Sequence, residues 1–436
     1  MQPQQFAVDV VRQLRAAGYQ ALFAGGCVRD QLLGSVPKDY DVATDATPEQ
    51  VIAAFPNRKT LAIGAAFGVI AVVGPRSEGK YNAGVVEVAT FRRDLAYSDG
   101  RRPDGVEFCS PEEDAERRDF TINGMFYDPI AEQVLDFVGG QEDLRRGVIR
   151  AIGDARARFT EDKLRLLRAV RFTARLEFKL DDYTKAAIVE LAPQLATVSV
   201  ERISDELRKM LTVPRRAQGC RLLHETNLLP VIFPEWQAVL DQSVTGAEAW
   251  QSVLVELEGL DQPAFPLTLA VLLAPLPALL PEFANDTSAK PSRISRDPAT
   301  RCVQQIGRRL KLSNDEIDAT AWLVRHQQAL HEAAAQSWSV VQPLLIMPWA
   351  RALLNWSDVR AQISGLSTAS LAWCRERLAW PSEQLDPPPL LTGDDLIRGG
   401  IKPGPHFTGL LAELRAKQLD GQLQNKDEAW AWLRRV

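Results

Sequence analysis

The sequence contains little cysteine and little histidine for its 436 residues. Its five cysteines are widely scattered without a C-x-x-C pair, so they indicate neither a zinc site nor a disulfide framework. The four histidines form no metal-ligand pattern, and no His-Asp dipeptide suggests a phosphohydrolase domain. A reducing, cytoplasmic location is the simplest expectation for such a chain.

Long uninterrupted apolar runs are also missing. The most apolar stretch, residues 263–281, is interrupted by Pro266, Pro275 and Pro277, so we expect core helices broken by turns rather than a membrane span. The polar residues 1–5 are not followed by an apolar segment with a cleavage site, so no signal peptide is expected.

The overall composition, 46% hydrophobic and 25% charged, is typical of a globular protein with a real core. The length predicts about two to four domains. A net charge of −5 argues against indiscriminate coating of nucleic acid, yet residues 145–175 contain ten Lys or Arg against three Asp or Glu, a local net of +7. Such a stripe suits phosphates, although on charge alone a solvated helix face is the more common explanation.

The hydrophobic pattern changes along the chain. In the first 150 residues, the strand-like segments ALFAGG, DYDVAT, GVIAVVG and VVEVATF alternate with helical segments at 4–17 and 48–55. From about residue 159 a helical period continues to the end. We therefore predict an α+β amino-terminal part and an all-helical remainder. The predicted divisions are 1–150, 151–235, 236–385 and 386–436.

Two aspartates stand one residue apart in the run AGGCVRDQLLGSVPKDYDVAT. On a strand, Asp39 and Asp41 would point to one face while Tyr40 and Val42 point to the other. Adjacent carboxylates repel each other, and a divalent cation relieves that repulsion, so the pair predicts a metal site. A capped turn after the Pro-Lys step is the weaker alternative.

Two glycines precede this pair at a strand-to-helix step, where backbone amides could face a phosphate. A glycine pair alone is more often a tight turn. The ordered set of Gly25, Gly26, Arg29-Asp30, Gly34 and the two aspartates, however, resembles the nucleotidyltransferase superfamily related to DNA polymerase beta. In that superfamily the glycine turn holds the triphosphate and the aspartates hold two Mg²⁺ ions, which fits phosphoryl transfer.

Three downstream segments narrow the resemblance. RRDFTINGMFYDP at 117–129, EDKLRLLRAVRFTARL at 161–176 and ERISDELRKML at 201–211 resemble motifs of class II tRNA nucleotidyltransferases and bacterial poly(A) polymerases. The likeness continues near both ends of the chain and is less clear over residues 237–385. It implies a polymerase-like head followed by a helical neck, body and tail. It also implies template-independent addition of CMP, CMP and AMP to the tRNA 3′ end from CTP and ATP.

One site must then accept C and A and refuse G and U. Cytosine and adenine both present an amino donor beside a ring-nitrogen acceptor, which an aspartate and an arginine can complement. On a single helix beginning after Thr160, Asp162 and Arg165 would be neighbours on one face, with Glu161 four residues before the arginine. The family's E-D-x-x-R motif implies that Asp162 and Arg165 read the base and that Glu161 supports the arginine. A weak surface salt bridge is the alternative.

The resemblance implies further site residues. Arginine suits phosphate because its planar fork donates two hydrogen bonds at once. Glu87 is placed like the third carboxylate of the wider superfamily, and a structural role is equally expected for it. The predicted catalytic metal ligands are Asp39 and Asp41; the predicted nucleotide-binding residues are Gly25, Gly26, Arg29, Arg117, Asp119, Asn123, Asp162, Arg165, Arg168 and Arg171, with Glu161 and Arg118 in support.

Two turn-rich segments complete the expectations. RRDLAYSDGRRPDGVEF at 92–108 is typical of a mobile loop, and a loop at this position of the family reshapes the site between C and A addition. GIKPGPHFTG in the tail resembles the element that the family places on the distal part of tRNA, with a simple helical hairpin as an equal alternative. We therefore expect tRNA as partner, and neither a membrane nor a protein partner.

Three other functions stay open at this stage. The chain could add only the terminal adenosine, or it could be a bacterial poly(A) polymerase, or a catalytically idle tRNA-binding protein. An acidic chain without a basic extension disfavours poly(A) synthesis. The intact pair of Asp39 and Asp41 disfavours an idle binder, since a pure binder has no use for a metal pair.

Overall fold

The structure of the protein, a computed structural model, describes residues 2–64, 67–75, 84–95, 105–242, 244–284, 297–402 and 404–435. The chain divides into two compact units, Met1–Pro234 and Glu235–Val436. The four-part division remains a prediction.

A mixed β-sheet forms the centre of the amino-terminal unit, with the strand order β3-β4-β5-β2-β1-β8-β9. Only the β2–β5 pair is parallel among these neighbours. The strands of this unit are β1 (Ala21–Ala24), β2 (Asp41–Thr44), β3 (Thr60–Gly64), β4 (Val69–Val73), β5 (Val85–Thr90), β6 (Arg92–Asp94), β7 (Val106–Phe108), β8 (Phe126–Asp128), β9 (Gln133–Leu135), β10 (Val148–Ile149) and β11 (Lys179–Leu180). The predicted α+β class with a small mixed sheet is confirmed.

Helices pack on this sheet, and the elements that follow the last strand of the unit are helices as well. They are α1 (Pro3–Ala16), α2 (Gly26–Leu32), α3 (Pro48–Ala54), α4 (Pro111–Glu116), α5 (Gly140–Arg146), α6 (Ala155–Glu161), α7 (Leu164–Leu176), α8 (Asp182–Leu191), α9 (Val200–Leu211), α10 (Arg216–Glu225) and α11 (Leu229–Ile232). Helix α1 shows why these segments fold as they do. Pro3 occupies its first turn, and the helically spaced Phe6, Val10 and Leu14 are buried.

The burial pattern of the sheet matches its sequence. In β5, Val86, Val88 and Thr90 are buried while the residues between them are more exposed, as expected for a strand with one face on a core. Burial of Tyr40 and Val42 likewise leaves Asp39 and Asp41 on the open side. The strand itself begins only at Asp41, so the expectation that Asp39 lies on it was wrong: Asp39 belongs to the bend just before.

The secondary-structure elements in the described residues of the carboxyl-terminal unit are all helices. Its helices are α12 (Pro234–Leu240, whose first residue belongs to the preceding unit), α13 (Val244–Gly259), α14 (Phe265–Leu273), α15 (Leu276–Leu279), α16 (Pro281–Ala284), α17 (Pro298–Arg309), α18 (Asn314–His326), α19 (Trp338–Leu345), α20 (Ala350–Ser364), α21 (Ala369–Arg377), α22 (Ser382–Leu385), α23 (Gly393–Arg398), α24 (Pro405–Leu419) and α25 (Lys426–Leu433). The apolar stretch at 263–281 forms the buried α14 and the short α15, divided by prolines as expected. Among the described helices, none combines the length and the apolar character that a membrane crossing requires.

Candidate active site

A cleft of about 460 Å³ opens in the amino-terminal unit where the β1–α2 turn, the start of β2, residues 117–123 and α7 meet. Seven of its fourteen lining residues are arginines and three are aspartates, an excess of four positive charges that suits a polyphosphate. The lining residues are Gly25, Gly26, Arg29, Asp41, Arg117, Arg118, Asp119, Asn123, Asp162, Arg165, Arg168, Arg171, Phe172 and Arg175.

Twelve of these lining residues belong to the set predicted from the sequence, so the fold brings the distant motifs together. Their individual binding roles remain predictions. Asp39 and Glu161 lie outside the lining. Phe172 and Arg175 line the cleft without having been predicted, although both stand in the quoted segment EDKLRLLRAVRFTARL, where the spacing to Arg168 and Arg171 places them on nearby turns of one helix.

Carboxylates gather at one edge of the cleft. Asp41 on β2 is the register partner of Glu87 on the parallel neighbour β5. Although Asp41 keeps contact with solvent, partial burial in the cleft wall raises its pKa to about 6, with the charges of Glu87 and Asp39 adding to the rise and Arg118 opposing it. Within the described part of the chain, no group of three or more His, Cys, Asp or Glu side chains has a metal-holding arrangement.

The β1–α2 turn needs a glycine at its first position. Gly25 has a φ of 72°, a backbone conformation that residues with a Cβ atom rarely adopt. A Cβ at Gly25 would also lie 3.1 Å from Nη1 of Arg118. The absence of a side chain therefore lets the Arg118 guanidinium approach the turn closely.

A chain of hydrogen bonds joins this turn to α7. The buried Arg29 donates from Nη1 to Oδ1 of Asn123 at 2.6 Å, and Asn123 donates from Nδ2 to Oδ1 of Asp119 at 3.0 Å. The other oxygen of Asp119 accepts from Nε of Arg168 at 2.9 Å. Burial alone would raise the pKa of Asp119, but Arg168, Asn123 and Arg165 outweigh it and lower the pKa to about 2. Asp119 is thus a fixed anion that orients the groups around it.

Asp114 of α4 holds the two arginines of the RRD segment and was missed by the sequence analysis. The carboxylate is buried and accepts from Nη2 of Arg117 at 2.7 Å and from Nη2 of Arg118 at 2.9 Å. Burial raises the pKa of the Asp114 carboxyl, but Arg118 and Arg117 outweigh this effect and hold the pKa below its usual range. The signal available in the sequence was the spacing, since Asp114 lies three and four residues before these arginines.

The predicted base-reading pair does not lie on one helix. Helix α6 ends at Glu161 and α7 begins at Leu164, with Asp162 between them in an extended conformation. The reason is local: Oδ1 of Asp162 accepts from the backbone N–H of Leu164 at 3.1 Å and so satisfies an amide at the start of α7. Its Oδ2 pairs with Arg202 of α9 at 2.8 Å. The expectation of a continuous helix from residue 161 was therefore wrong.

Arg165 nevertheless faces the same cleft as Asp162 and is tightly held. Its Nη1 donates to Oε2 of Glu161 at 2.8 Å and to the carbonyl oxygen of Arg158 at 3.0 Å, and its Nη2 donates to the carbonyl oxygen of Arg117 at 3.0 Å. The contact between Glu161 and Arg165 is the one the motif implied. A guanidinium has five N–H groups, so within the described part of the chain these bonds leave the Nε–H and one Nη2–H of Arg165 for a further partner.

The remaining predicted elements lie partly outside the described residues. The turn-rich loop is described only at its stems, where β6 and β7 pair antiparallel, and residues 96–104 fall outside the described part. In the tail, α23 and α24 flank the predicted turn. Residue 403 of this turn also lies outside the described part of the chain.

The mixed sheet presents the carboxylate of Asp41, next to Glu87, to a cleft that the arginine-rich helix α7 also lines. This arrangement is typical of a nucleotidyltransferase head. The comparisons agree with this class. Residues 21–150 match the family model described as the poly A polymerase head domain, and residues 177–240 match the probable RNA and SrmB-binding site of polymerase A.

Curated relatives narrow the class further. The CCA-adding enzyme of Enterococcus faecalis is 32% identical over 97% of this chain and 93% of the relative. This chain belongs to the family of CCA-adding enzymes. A crystal structure of the Bacillus stearothermophilus CCA-adding enzyme in complex with CTP is 31% identical, covers 99% of this chain and 97% of that one, and superposes with a TM-score of 0.74.

Other relatives match over a shorter length. The CCA-adding enzyme of Geobacillus thermodenitrificans is 46% identical over 52% of this chain. The match covers 54% of that relative, so over such matches this chain spans about half the length of the curated relatives.

Proposed function

We propose that this chain adds CMP, CMP and AMP in turn to the 3′ end of tRNA, using CTP and ATP and releasing pyrophosphate. One observation carries the proposal: a single cleft is lined by Asp41, by seven arginines that include Arg165, and by Asp162. The near full-length likeness to a CCA-adding enzyme supports the same reaction.

The carboxylate edge fits magnesium, which prefers oxygen ligands and carboxylates. Burial, and after it the charges of Glu87 and Asp39, raise the pKa of Asp41, and a dication would stabilise its ionised form. We assign Asp39 and Asp41 as the residues that would hold two Mg²⁺ ions, with Glu87 beside them. When bound, the metal supplies activation of the attacking hydroxyl and neutralisation of the leaving pyrophosphate.

The arginines of the cleft would bind the triphosphate. Arg117 and Arg118 are presented by one buried carboxylate, and Arg168 is oriented by Asp119, so their guanidiniums are ordered before substrate arrives. Preorganised cations of this kind stabilise developing negative charge without reorganising during the reaction. Arg29 and Arg171 are buried in the same wall and complete the set.

Base selection would rest on the donors and acceptors that the protein itself leaves available. The Asp162 carboxylate already accepts from Leu164 and Arg202, and each oxygen retains a lone pair for an amino group of cytosine or adenine. The remaining N–H groups of Arg165 suit the acceptor ring nitrogen of the same two bases. Guanine and uracil present a carbonyl where cytosine and adenine have the amino group, and an N–H where they have the acceptor ring nitrogen. The Asp162 acceptor would then face an acceptor, and the Arg165 donor would face a donor.

The other assignments follow from this reaction. Residues 1–150 would form the head, 151–235 the neck, 236–385 the body and 386–436 the tail, with tRNA held at its acceptor end and, through the tail, at its distal part.

The five cysteines are free thiols, four of them buried, which supports a reducing cytoplasmic location.

The test is extension of tRNA transcripts that end at the discriminator base, at the first C or at the second C. Each transcript is incubated with Mg²⁺ and with CTP, ATP, both or all four nucleotides, and the products are sequenced. We expect CCA, CA and A, respectively, when both nucleotides are supplied. Extension only of the CC-ended transcript would indicate an A-adding enzyme, long adenosine tails would indicate a poly(A) polymerase, and tRNA binding without extension would indicate an idle binder.

A further inference from the structure

One aromatic ring lies among three of the cleft arginines. The side chain of Phe172 on α7 is 4% exposed and lines the cleft. The guanidinium carbons of Arg171, Arg29 and Arg168 lie over its ring at 4.0, 5.3 and 5.5 Å from the centroid. All three distances are within the range in which a cation is attracted to an aromatic face.

These arginines come from two distant segments and carry like charges. Arg29 belongs to α2, whereas Arg168 and Arg171 belong to α7. Each also has a separate carboxylate partner: Asp30 for Arg29, Asp119 for Arg168 and Glu206 for Arg171. The ring of Phe172 lies beside all three guanidiniums, and the charge of Asp119, which pairs directly with Arg168, also acts on Arg29 and Arg171.

The carboxylates hold one side of each guanidinium: Asp119 accepts from Nε and Nη2 of Arg168, Asp30 accepts from Nε and Nη2 of Arg29, and Glu206 accepts from Nε of Arg171. The Phe172 ring adds a further contact to each of the three guanidiniums. Arg29 and Arg171 are almost fully buried, so water and salt poorly screen the repulsion of Arg29 by Arg175 and of Arg171 by Arg168. The negative face of an aromatic ring offsets such repulsion without consuming an N–H group, so the donors stay available for phosphate oxygens. An aliphatic side chain of similar volume would fill the space but lacks the quadrupole.

We propose that Phe172 is a positioning residue for triphosphate binding, which holds Arg29, Arg168 and Arg171 in one converging set through cation–π contacts. The proposal rests on the proposed function for the identity of the ligand and goes beyond it in assigning a role to a residue that bears no polar group. Phe172 is itself fixed by an edge-to-face contact with the buried Phe120 at a centroid distance of 5.7 Å.

The test replaces Phe172 by mono-, di- and trifluorophenylalanine, which weaken the negative ring face stepwise with little change in size. The matched control is the same series at Phe159, a fully buried ring of the same unit over which no arginine lies in the described part of the chain. We expect KM for CTP and for ATP to rise with each fluorine at position 172, by about tenfold over the series, with kcat much less affected and the melting temperature unchanged. The Phe159 series should leave KM unchanged.

A second readout separates this inference from the proposed function. Binding of CTP and of tripolyphosphate, measured by calorimetry without tRNA, should weaken in parallel with the rise in KM, because both ligands carry the same anionic chain. Active wild-type protein whose KM and affinities are flat across the Phe172 series would overturn the inference and leave the function intact. If wild-type protein binds tripolyphosphate but extends no tRNA, the function fails while the binding series still decides the role of Phe172.

Discussion

Replacing Asp114 by Asn should cost the amino-terminal unit a large part of its stability. The carboxylate accepts from Nε and Nη2 of Arg117 at 2.9 and 2.7 Å, from Nε and Nη2 of Arg118 at 3.2 and 2.9 Å, and from the backbone N–H of Arg92 at 3.1 Å. An amide keeps one acceptor oxygen but turns an N–H₂ group toward one of the arginines. Arg117 keeps its ion pair with Asp94 at 3.7 Å, but the two guanidiniums lose the anion that they share.

The size of the effect follows from the burial. Removing one partner of a buried ion pair typically costs about 3–5 kcal/mol. The Arg117 and Arg118 side chains are each 19% exposed, so water can partly replace the lost carboxylate, and we expect the lower end of that range, about 3 kcal/mol. The exposed Glu112 of the same helix is the matched control, and Glu112→Gln should change the free energy of unfolding by less than about 0.5 kcal/mol.

Urea titration followed by tyrosine absorbance measures this unit. All six tyrosines lie in residues 1–234, whereas all ten tryptophans lie in residues 235–436, so tryptophan fluorescence reports on the other unit. The pKa of Asp114 is lowered in the folded state, so its contribution is present above the unfolded pKa of about 3.9 and is lost as the pH falls further. The gap between wild type and variant should therefore be widest near neutral pH and narrow below about pH 4. A gap that stays constant from pH 7 to pH 3, or one below about 0.5 kcal/mol at pH 7, would refute the reasoning.

Three further predictions concern the reaction itself. Asp39→Ala and Asp41→Ala should each abolish addition of both C and A, because the carboxylates serve chemistry common to both steps. Binding of tRNA in a filter assay should stay close to wild type. Near-normal turnover with Mg²⁺ in either variant would contradict the metal assignment. Deleting residues 96–103, which lie outside the described part of the chain, should leave CMP addition nearly unchanged and strongly reduce AMP addition; equal loss of both would make the segment structural or a tRNA contact. Arg165→Ala should lower kcat/KM for CTP and for ATP alike, by about tenfold or more, because both ring nitrogens lose the same donor; an effect on one nucleotide alone would separate Arg165 from base reading.

Much of the fold follows from local sequence signals. Alternating apolar residues predict β2 and β5, and the helical spacing of Phe6, Val10 and Leu14 predicts α1. These elements are set by short-range patterns, and for that reason a single sequence suffices to find them. Which segments meet at the cleft was implied instead by the resemblance of the motifs to a known family.

Two features that the sequence analysis missed depend in part on contacts between distant segments. The break at Asp162 is fixed by its own side chain on the Leu164 amide and by Arg202, which is 40 residues away. Phe172 looks like an ordinary core residue until Arg29 of another segment is placed over its ring. Neither the helix period nor the spacing of charges contains that information.

The most direct test of the account is the selectivity of the cleft, measured as kcat/KM for CTP, ATP, UTP and GTP on wild type, Asp162→Ala and Asp162→Asn. Arg202→Ala is the matched control, because it removes a partner of Asp162 but leaves the carboxylate in place. A mispaired buried hydrogen bond costs about 1–3 kcal/mol, and about 1.4 kcal/mol corresponds to a factor of ten. We expect the wild-type preference for CTP and ATP over UTP and GTP to shrink by about tenfold or more in both Asp162 variants and to persist in the control. Unchanged selectivity in the two Asp162 variants would contradict this expectation and leave Asp162 as a helix-capping residue with a structural ion pair.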